Sequence, residues 1–352
     1  MSIINSTLSS ILKITIAEKE DWTAYVKKAI HSDFYHTWHY HSLAQNGRPI
    51  LCVYVEDNNF IAIPLLQREI EGTNYNDFHS VYGYSGPISN LSFDEVPAAM
   101  LKSFKTSLLD FIKQENGVSV FSKLHPFFKQ DVLIRNFDGL FDNGKTVAID
   151  LRVPVEIQRK GYRQTTLDAI KKCRRLGYNM VEAATQDDIA EFTQLYQKNM
   201  NRIHAADFYL FDEAYFTKLI NTDEYLCKLV LIKNDGELVC GSIIMLNHGI
   251  IQGHLIATNE KYLRHSPAKL LVDEVSILGR ALGMQFYHLG GGLGFKENSL
   301  FEWKLGFSQL TLPYKSWRLV ANKDVYITLV KDNGQDPQND VDFFPLYRLT
   351  QS

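Results

Sequence analysis

Cysteine is scarce, and the four present do not pair: Cys52, Cys173, Cys227 and Cys240 stand far apart with no C-x-x-C spacing. This excludes a zinc knuckle or a disulfide framework and fits reduced thiols in the cytoplasm. Long apolar runs are missing as well. No stretch approaches the length of a membrane span, and the apolar patch Ile11 to Ile16 is interrupted by Lys13 with no small-residue cleavage site behind it, so it reads as a strand. The expectation is a soluble protein that still has the option of peripheral membrane contact. Positive charge is not in excess: the formal net charge is -3, which argues against a protein coated in nucleic acid, and DNA is not an expected partner. His36, His39 and His41 lack a carboxylate at ligand spacing, and His39 and His41 would face different sides of a helix, so no metal is expected. There is no G-x-S-x-G turn either, since Tyr84-Ser85-Gly86 lacks the first glycine.

What is present is a globular composition. A chain of 352 residues, 45% hydrophobic and 22% charged, has the length for two buried cores. Its most informative segment runs from Tyr287 to Phe307. Met284 to Leu289 is a short apolar run with aromatics, Gly290-Gly291-Gly292 frees the backbone, and Asn298 or Ser299 caps a short helix that Gly306 ends. Glycines after a strand expose backbone N–H groups, and Lys304 lies toward the far end of that helix. A carbonyl or phosphate oxygen can then meet dipoles and a cation together, and Lys304 is the candidate catalytic residue. The alternatives are a plain tight turn for the glycines and a cation completing a helix C-terminus for Lys304.

Local charge departs from the near-neutral total. Between Arg159 and Arg175 seven Lys or Arg face one acid, Asp168. Arg163, Lys171 and Arg174 of this run, with Arg264 before the helix opened by Pro267, are candidate donor-binding cations for a phosphate-rich carrier; the other reading is a solvated helix surface. Arg202, with its planar fork, is a candidate clamp for an acceptor phosphate or carboxylate, or a cap on its own helix.

One order of elements is written twice. Two helices (Trp22 to Ile30, Trp38 to Ala44), a hairpin (Leu51 to Val55, Phe60 to Leu66), a long helix (Asp94 to Glu115) and a strand (Val118 to Ser122) make the first copy, closed by Thr146 to Leu151. In the second, Asp187 and Asp212 open helices, Lys228 to Ile232 and Leu238 to Leu246 flank Asn234-Asp235-Gly236-Glu237, a strand follows at Ile250 to Ala257, and Pro267 opens a helix that Gly283 stops. The tail carries strand-like Leu310 to Leu312 and Val325 to Val330, then a polar loop from Lys331 to Asp342. The expected fold class is mixed α/β in two tandem domains, with residues 1–151 as the first, 152–312 as the second with the catalytic cleft, and 313–352 as a tail packing back on the first.

Several motifs resemble the FemABX-type aminoacyltransferases of peptidoglycan interpeptide bridge synthesis: Tyr82-Gly83-Tyr84-Ser85-Gly86-Pro87, Leu195-Tyr196 through Arg202 with Tyr215-Phe216, Pro267, Leu289-Gly290-Gly291, and Phe301-x-x-Lys304-x-x-Phe307. The resemblance spans nearly the whole chain and implies two GNAT-like acyltransferase domains. It implies that Lys304 stabilises the reacting acyl group and that Arg202 binds the acceptor; Trp38, Tyr84 and Gly290 to Gly292 are further candidate substrate contacts, with aromatic packing the other role for Tyr84. Aminoacyl-tRNA is the expected donor and a small-molecule or lipid-linked amine the expected acceptor, with no cofactor expected and a monomer or homodimer. The helical-hairpin insertion of some members is absent. Where a GNAT loop expects Q/R-x-x-G-x-G/A, this chain has Arg264-His265-Ser266-Pro267-Ala268-Lys269, which weakens acyl-CoA as donor. A basic residue after the tryptophan matching Trp38 is replaced among His39, Tyr40 and His41, and an aromatic near Ile256 is lost, so an acceptor amine on another envelope or polysaccharide precursor is the alternative to a muropeptide. A thioester-dependent N-acyltransferase and a non-catalytic glycan- or peptide-binding module are the other two readings.

Overall fold

The computed structural model describes residues 10–205 and 210–349. The chain forms two compact units, one of residues 1–143 and 314–352, the other of residues 144–313.

The first unit opens with β1 (Leu12–Thr15), α1 (Lys19–Lys28) and α2 (Trp38–Ser42), followed by β2 (Arg48–Glu56), β3 (Asn59–Glu69), β4 (Asn76–His79), β5 (Ile88–Ser89), α3 (Ala98–Gln114), β6 (Gly117–Lys123) and α4 (Gln130–Ile134). The β2/β3 hairpin pairs Glu56 with Asn59, so its turn is Asp57-Asn58, and Asp57 takes φ 55° as such tight turns demand. Helix α3 buries Met100, Phe104, Leu108, Phe111 and Ile112, a stripe at helical spacing, against Tyr54, Phe78 and Val120 of the sheet. It begins at Ala98 rather than near Asp94, because Ser92 to Glu95 closes a turn and Pro97 takes the cap position.

The second unit contains β7 (Leu140–Asp150) from Gly144 onward, then α5 (Val155–Lys160), α6 (Gln164–Arg175), β8 (Asn179–Glu182), α7 (Gln186–Arg202), α8 (Glu213–Ile220), β9 (Leu226–Asn234), β10 (Glu237–Asn247), β11 (Ile250–Thr258), α9 (Pro267–Ala281), β12 (Phe286–Gly290) and α10 (Ser299–Leu305). Its strands run in the order β7-β12-β11-β10-β9-β8. The β9/β10 turn is Asp235-Gly236, both at positive φ. Helix α9 lays Leu270, Leu271, Val272 and Val275 on a core with Val147, Ile149, Ile251 and Tyr287. Gly279 permits the close approach, since a Cβ there would lie 2.4 Å from Ile251 Cδ1. Among the described residues the last strand and α-helix are β13 (Thr311–Val320) and α11 (Lys323–Asp332), and residues from Tyr314 onward belong to the first unit. There the strand order is β1-β2-β3-β4-β6-β13, with β5 beside β3.

Three expectations need correction. Thr146 to Leu151 does not close the first copy: Val147 to Asp150 pair antiparallel with β12, and Val147 and Ile149 are buried in the second unit's core. Val325 to Val330 is helix, not strand. Its β-branched content suits a strand, but Val325, Tyr326, Leu329 and Val330 recur at helical spacing and Asn322 caps the turn through Val325 N–H. The cap of α7 is Thr185, not Asp187, in a reciprocal capping box with Asp188.

Candidate functional site

In the second unit, β11 and β12 run parallel, and their pairing ends at Gln252 opposite His288. Beyond that point the two strands part. One arm is Gly253 to Thr258, where β11 stays with β10 through a register shift that leaves His254 as the extra residue. The other is Leu289 to Gly291, turned by Gly290 at φ 76°. The last side-chain rung before the opening is buried: His288 Nδ1 lies 2.6 Å from Gln252 Oε1. Neither residue stood out in the sequence, although His288 directly precedes the glycines.

Helix α10 is placed by both of its ends. The Asn298 side chain accepts from Leu300 N–H at 3.1 Å and Phe301 N–H at 3.3 Å, and donates back to Leu293 O at 3.0 Å. Phe301 and Phe307 are buried, with Phe307 edge-on to Tyr162 and Trp303. This sets Lys304 over the glycine turn, where its Nζ donates to Gly291 O at 2.5 Å. The side chain is half-buried, and desolvation pushes its ammonium down to about 8. Gly292 cannot carry a side chain here, because a Cβ would fall 2.0 Å from Lys296 O. A half-buried cation close to its titration point, beside a strand opening, is chemically a donor for a developing oxyanion.

Arg202 sits at the C-terminal end of α7, exposed, with its guanidinium on Asn199 Oδ1 at 3.0 Å. It lines a cleft of about 580 Å³ with Lys198, Asn199, Glu237, Thr258 and Glu260. That cleft adjoins the C-terminal end of β11, the same end of the sheet as the Gly290 end of β12.

Three of the seven cations in the basic run pair with acids of their own unit. Arg159 grips Asp273 at 2.6 Å and 3.1 Å, Arg174 reaches Asp273 at 2.7 Å and Glu274 at 2.6 Å, and Arg163 binds Glu302 at 2.5 Å. Asp273 itself is fully buried. Of the four candidate donor-binding cations, Arg163 and Arg174 therefore hold α6 to α10 and α9, while Lys171 and Arg264 are exposed. The loop before α9 offers few amides: Ser266 N–H donates to Leu263 O, Pro267 has none, and Lys269 N–H donates to Ser266 O.

Trp38 and Tyr84 belong to the first unit. Trp38 Nε1 donates to Ile16 O at 2.8 Å, and Lys19 Nζ lies 4.6 Å from its ring. Tyr84 packs edge-on to Tyr35 and Tyr314. The histidines nearby are structural in geometry. His36 is buried between Asp33 and Ser85 O, His41 Nδ1 lies 2.9 Å from Thr37 O, and no metal-ligating cluster occurs among the described residues. Burial pushes His36 from 6.5 down to about 4 and His41 down to about 3. Both must fold neutral, so their contribution is complete above pH 6.5 and is lost as pH falls toward 4; His36 alone is worth roughly 3 kcal/mol over that window. Thermal unfolding followed between pH 7 and about 4 should show a steep fall in Tm that His36→Gln reduces. A Tm that is flat over this range contradicts the assignment.

Residues 160–304 match the family model described as acetyltransferase (GNAT) domain. Among solved structures, FemX aligns with TM-score 0.68 at 11% identity, covering 90% of this chain and 99% of that one. L-PGS from Bacillus licheniformis aligns at 0.59 and 14% identity, covering 91% and 97%. A tandem GNAT protein from the clavulanic acid biosynthesis pathway aligns at 0.52 and 9%, covering 89% and 98%. No functionally curated protein matches the sequence. Residues 160–304 thus match an acetyltransferase (GNAT) domain, the chain is an acyltransferase, and its fold is similar to those of FemX and of a tandem GNAT protein.

Proposed function

We propose that the protein transfers an aminoacyl group from aminoacyl-tRNA to an amine on a cell-envelope precursor, with the second unit as the catalytic domain. The observation that carries this reading is Lys304, set by α10 over the glycine turn at the mouth of the β11/β12 opening. In the reaction a neutral amine attacks the ester carbonyl, the tetrahedral oxyanion forms, and the ribose hydroxyl leaves as the amide is made. Lys304 supplies positive charge to the oxyanion or to the leaving oxygen, Arg202 takes an anionic group of the acceptor, and no cofactor is required. Transfer then proceeds without a covalent enzyme intermediate. The proposed setting is the cytoplasm; among the described residues no helix is long and apolar enough to cross a membrane.

The choice of an ester carrier over coenzyme A is supported by the loop before α9. With Ser266 and Lys269 amides already donating and Pro267 at the first helical position, that loop has few backbone donors for a pyrophosphate. Equilibrium binding of fluorescent aminoacyl-tRNA, with acetyl-CoA as competitor and salt varied, tests the point. Saturable, salt-sensitive binding that acetyl-CoA does not displace is expected. Displacement by acetyl-CoA, or no tRNA binding, would overturn the ester-donor reading and favour a thioester.

A further inference from the structure

Arg202 is held differently from Arg159, Arg163 and Arg174. Those three end on carboxylates, which offset their charge. Arg202 Nη2 donates to a neutral amide oxygen, Asn199 Oδ1, and among the described residues the guanidinium forms no ion pair. The carboxylates that line the same cleft are engaged elsewhere or stand apart. Glu237 takes Lys261 at 2.7 Å, Glu191 faces Lys233 at 3.5 Å, and Glu260 pairs with no cation among the described residues.

Asn199 is itself fixed from the sheet. Its Oδ1 also accepts from Thr258 N–H, at 3.4 Å, where β11 ends, so one amide oxygen ties the last turn of α7 to the strand and the guanidinium to both. The backbone closes the same turn: His204 N–H donates to Asn201 O and Ala205 N–H to Met200 O, the paired bonds of a helix end whose left-handed residue is usually glycine. Here that residue is His204 at φ 51°, a conformation its β-carbon disfavours. The helix thus stops directly behind Arg202 in a defined direction, and the support belongs to the end that carries the clamp.

The neutrality of that partner has a consequence. An amide oxygen restricts the guanidinium without cancelling its charge, and restriction before binding removes part of the ordering cost that a long side chain carries into a complex. A carboxylate at the same position would accept the same two hydrogen bonds, but it would hold the guanidinium in an ion pair and compete with an incoming anion. Asparagine at 199 and aspartate at 199 therefore differ in function while being nearly equal in geometry.

We propose that Asn199 is a positioning residue that aims Arg202 into the cleft with its charge uncancelled, and so sets the preference of the cleft for a ligand bearing an anionic group, phosphate or carboxylate. The inference rests on the reading of Arg202 as the acceptor clamp. It is read without turnover, so it is independent of Lys304.

Phenylglyoxal labelling of arginines in the full-length protein, mapped by mass spectrometry at fixed ionic strength, gives the test, with inorganic phosphate and acetate as probes. Protection of Arg202 is expected in the wild type; a stronger effect of phosphate assigns the anion as phosphate, and the reverse as carboxylate. Asn199→Ala frees the guanidinium and should raise the probe concentration for half-protection about threefold to tenfold. Asn199→Asp keeps both hydrogen bonds and adds a charge, and should raise it further, by about tenfold or more. That order separates positioning from support of the helix end, because a supporting role is met by aspartate and would leave Asn199→Asp closer to wild type than Asn199→Ala. Tm should be nearly the same in all three proteins. Equal half-protection in the three, a larger loss in Asn199→Ala than in Asn199→Asp, or a Tm that falls in step with the loss of protection overturns the role of Asn199 and leaves the Arg202 clamp standing. No protection of Arg202 in the wild type by either probe overturns both.

Discussion

Lys304→Met lowers the single-turnover rate of acyl transfer by about 10²-fold or more while leaving donor binding and Tm nearly unchanged. The size of the effect follows from position: an ammonium held against Gly291 O at 2.5 Å and half-buried meets a developing negative charge in a medium of low dielectric, where one donor counts for more than in water. The pH profile carries a second mark of the same group. With its ammonium lowered to about 8, Lys304 is cationic below that pH and neutral above it, so the rate should decline as pH rises through about 8. Lys304→Arg keeps the charge and removes that limb, whatever rate it retains. A Lys304→Met enzyme with a wild-type rate, or a falling limb that persists in Lys304→Arg, contradicts the role.

The largest effect on stability is expected at Asp273. It is fully buried on α9 and answers two guanidiniums, Arg159 from α5 and Arg174 from α6. Asp273→Ala removes a buried anion that bridges two guanidiniums; Arg174 keeps Glu274 and both arginines reach solvent, so the cost should be about 2–3 kcal/mol, read by urea unfolding. Substituting all three together with apolar residues of similar size should recover much of the loss, since the desolvation cost disappears with the charges. A loss below about 1 kcal/mol in the single variant would show that the cluster is solvated and leave the basic run open to a phosphate partner.

That cluster also marks where reading the sequence stops. The hairpin turns Asp57-Asn58 and Asp235-Gly236, the cap at Asn298 and the start of α9 at Pro267 are local chemistry, and each is legible within a few residues. The partners of Arg159, Arg163 and Arg174 in the basic run are not legible locally because their acids are remote: Asp273 lies 114 residues from Arg159. Distance in sequence hid the fate of Thr146 to Leu151 in the same way, since only its partner, β12, decides which core it joins. The tail misled for another reason. Val325 to Val330 has the composition of a strand and the spacing of a helix, and the spacing prevailed once Tyr326 and Val330 had a core to enter. Lys304 was legible from its place after the glycines, but its partner is a backbone carbonyl, for which a side-chain pattern holds no sign.

The central claim, ester aminolysis at Lys304, is tested most directly by single-turnover transfer of a radiolabelled amino acid from aminoacyl-tRNA to amines of envelope precursors. The assay compares wild-type protein with Lys304→Met and runs acetyl-CoA in parallel as an alternative donor. The account predicts label in an alkali-stable amide from the tRNA ester, slowed by about 10²-fold or more in the variant, with no transfer from acetyl-CoA. Transfer from acetyl-CoA alone, or tRNA-dependent transfer that Lys304→Met leaves untouched, would contradict it.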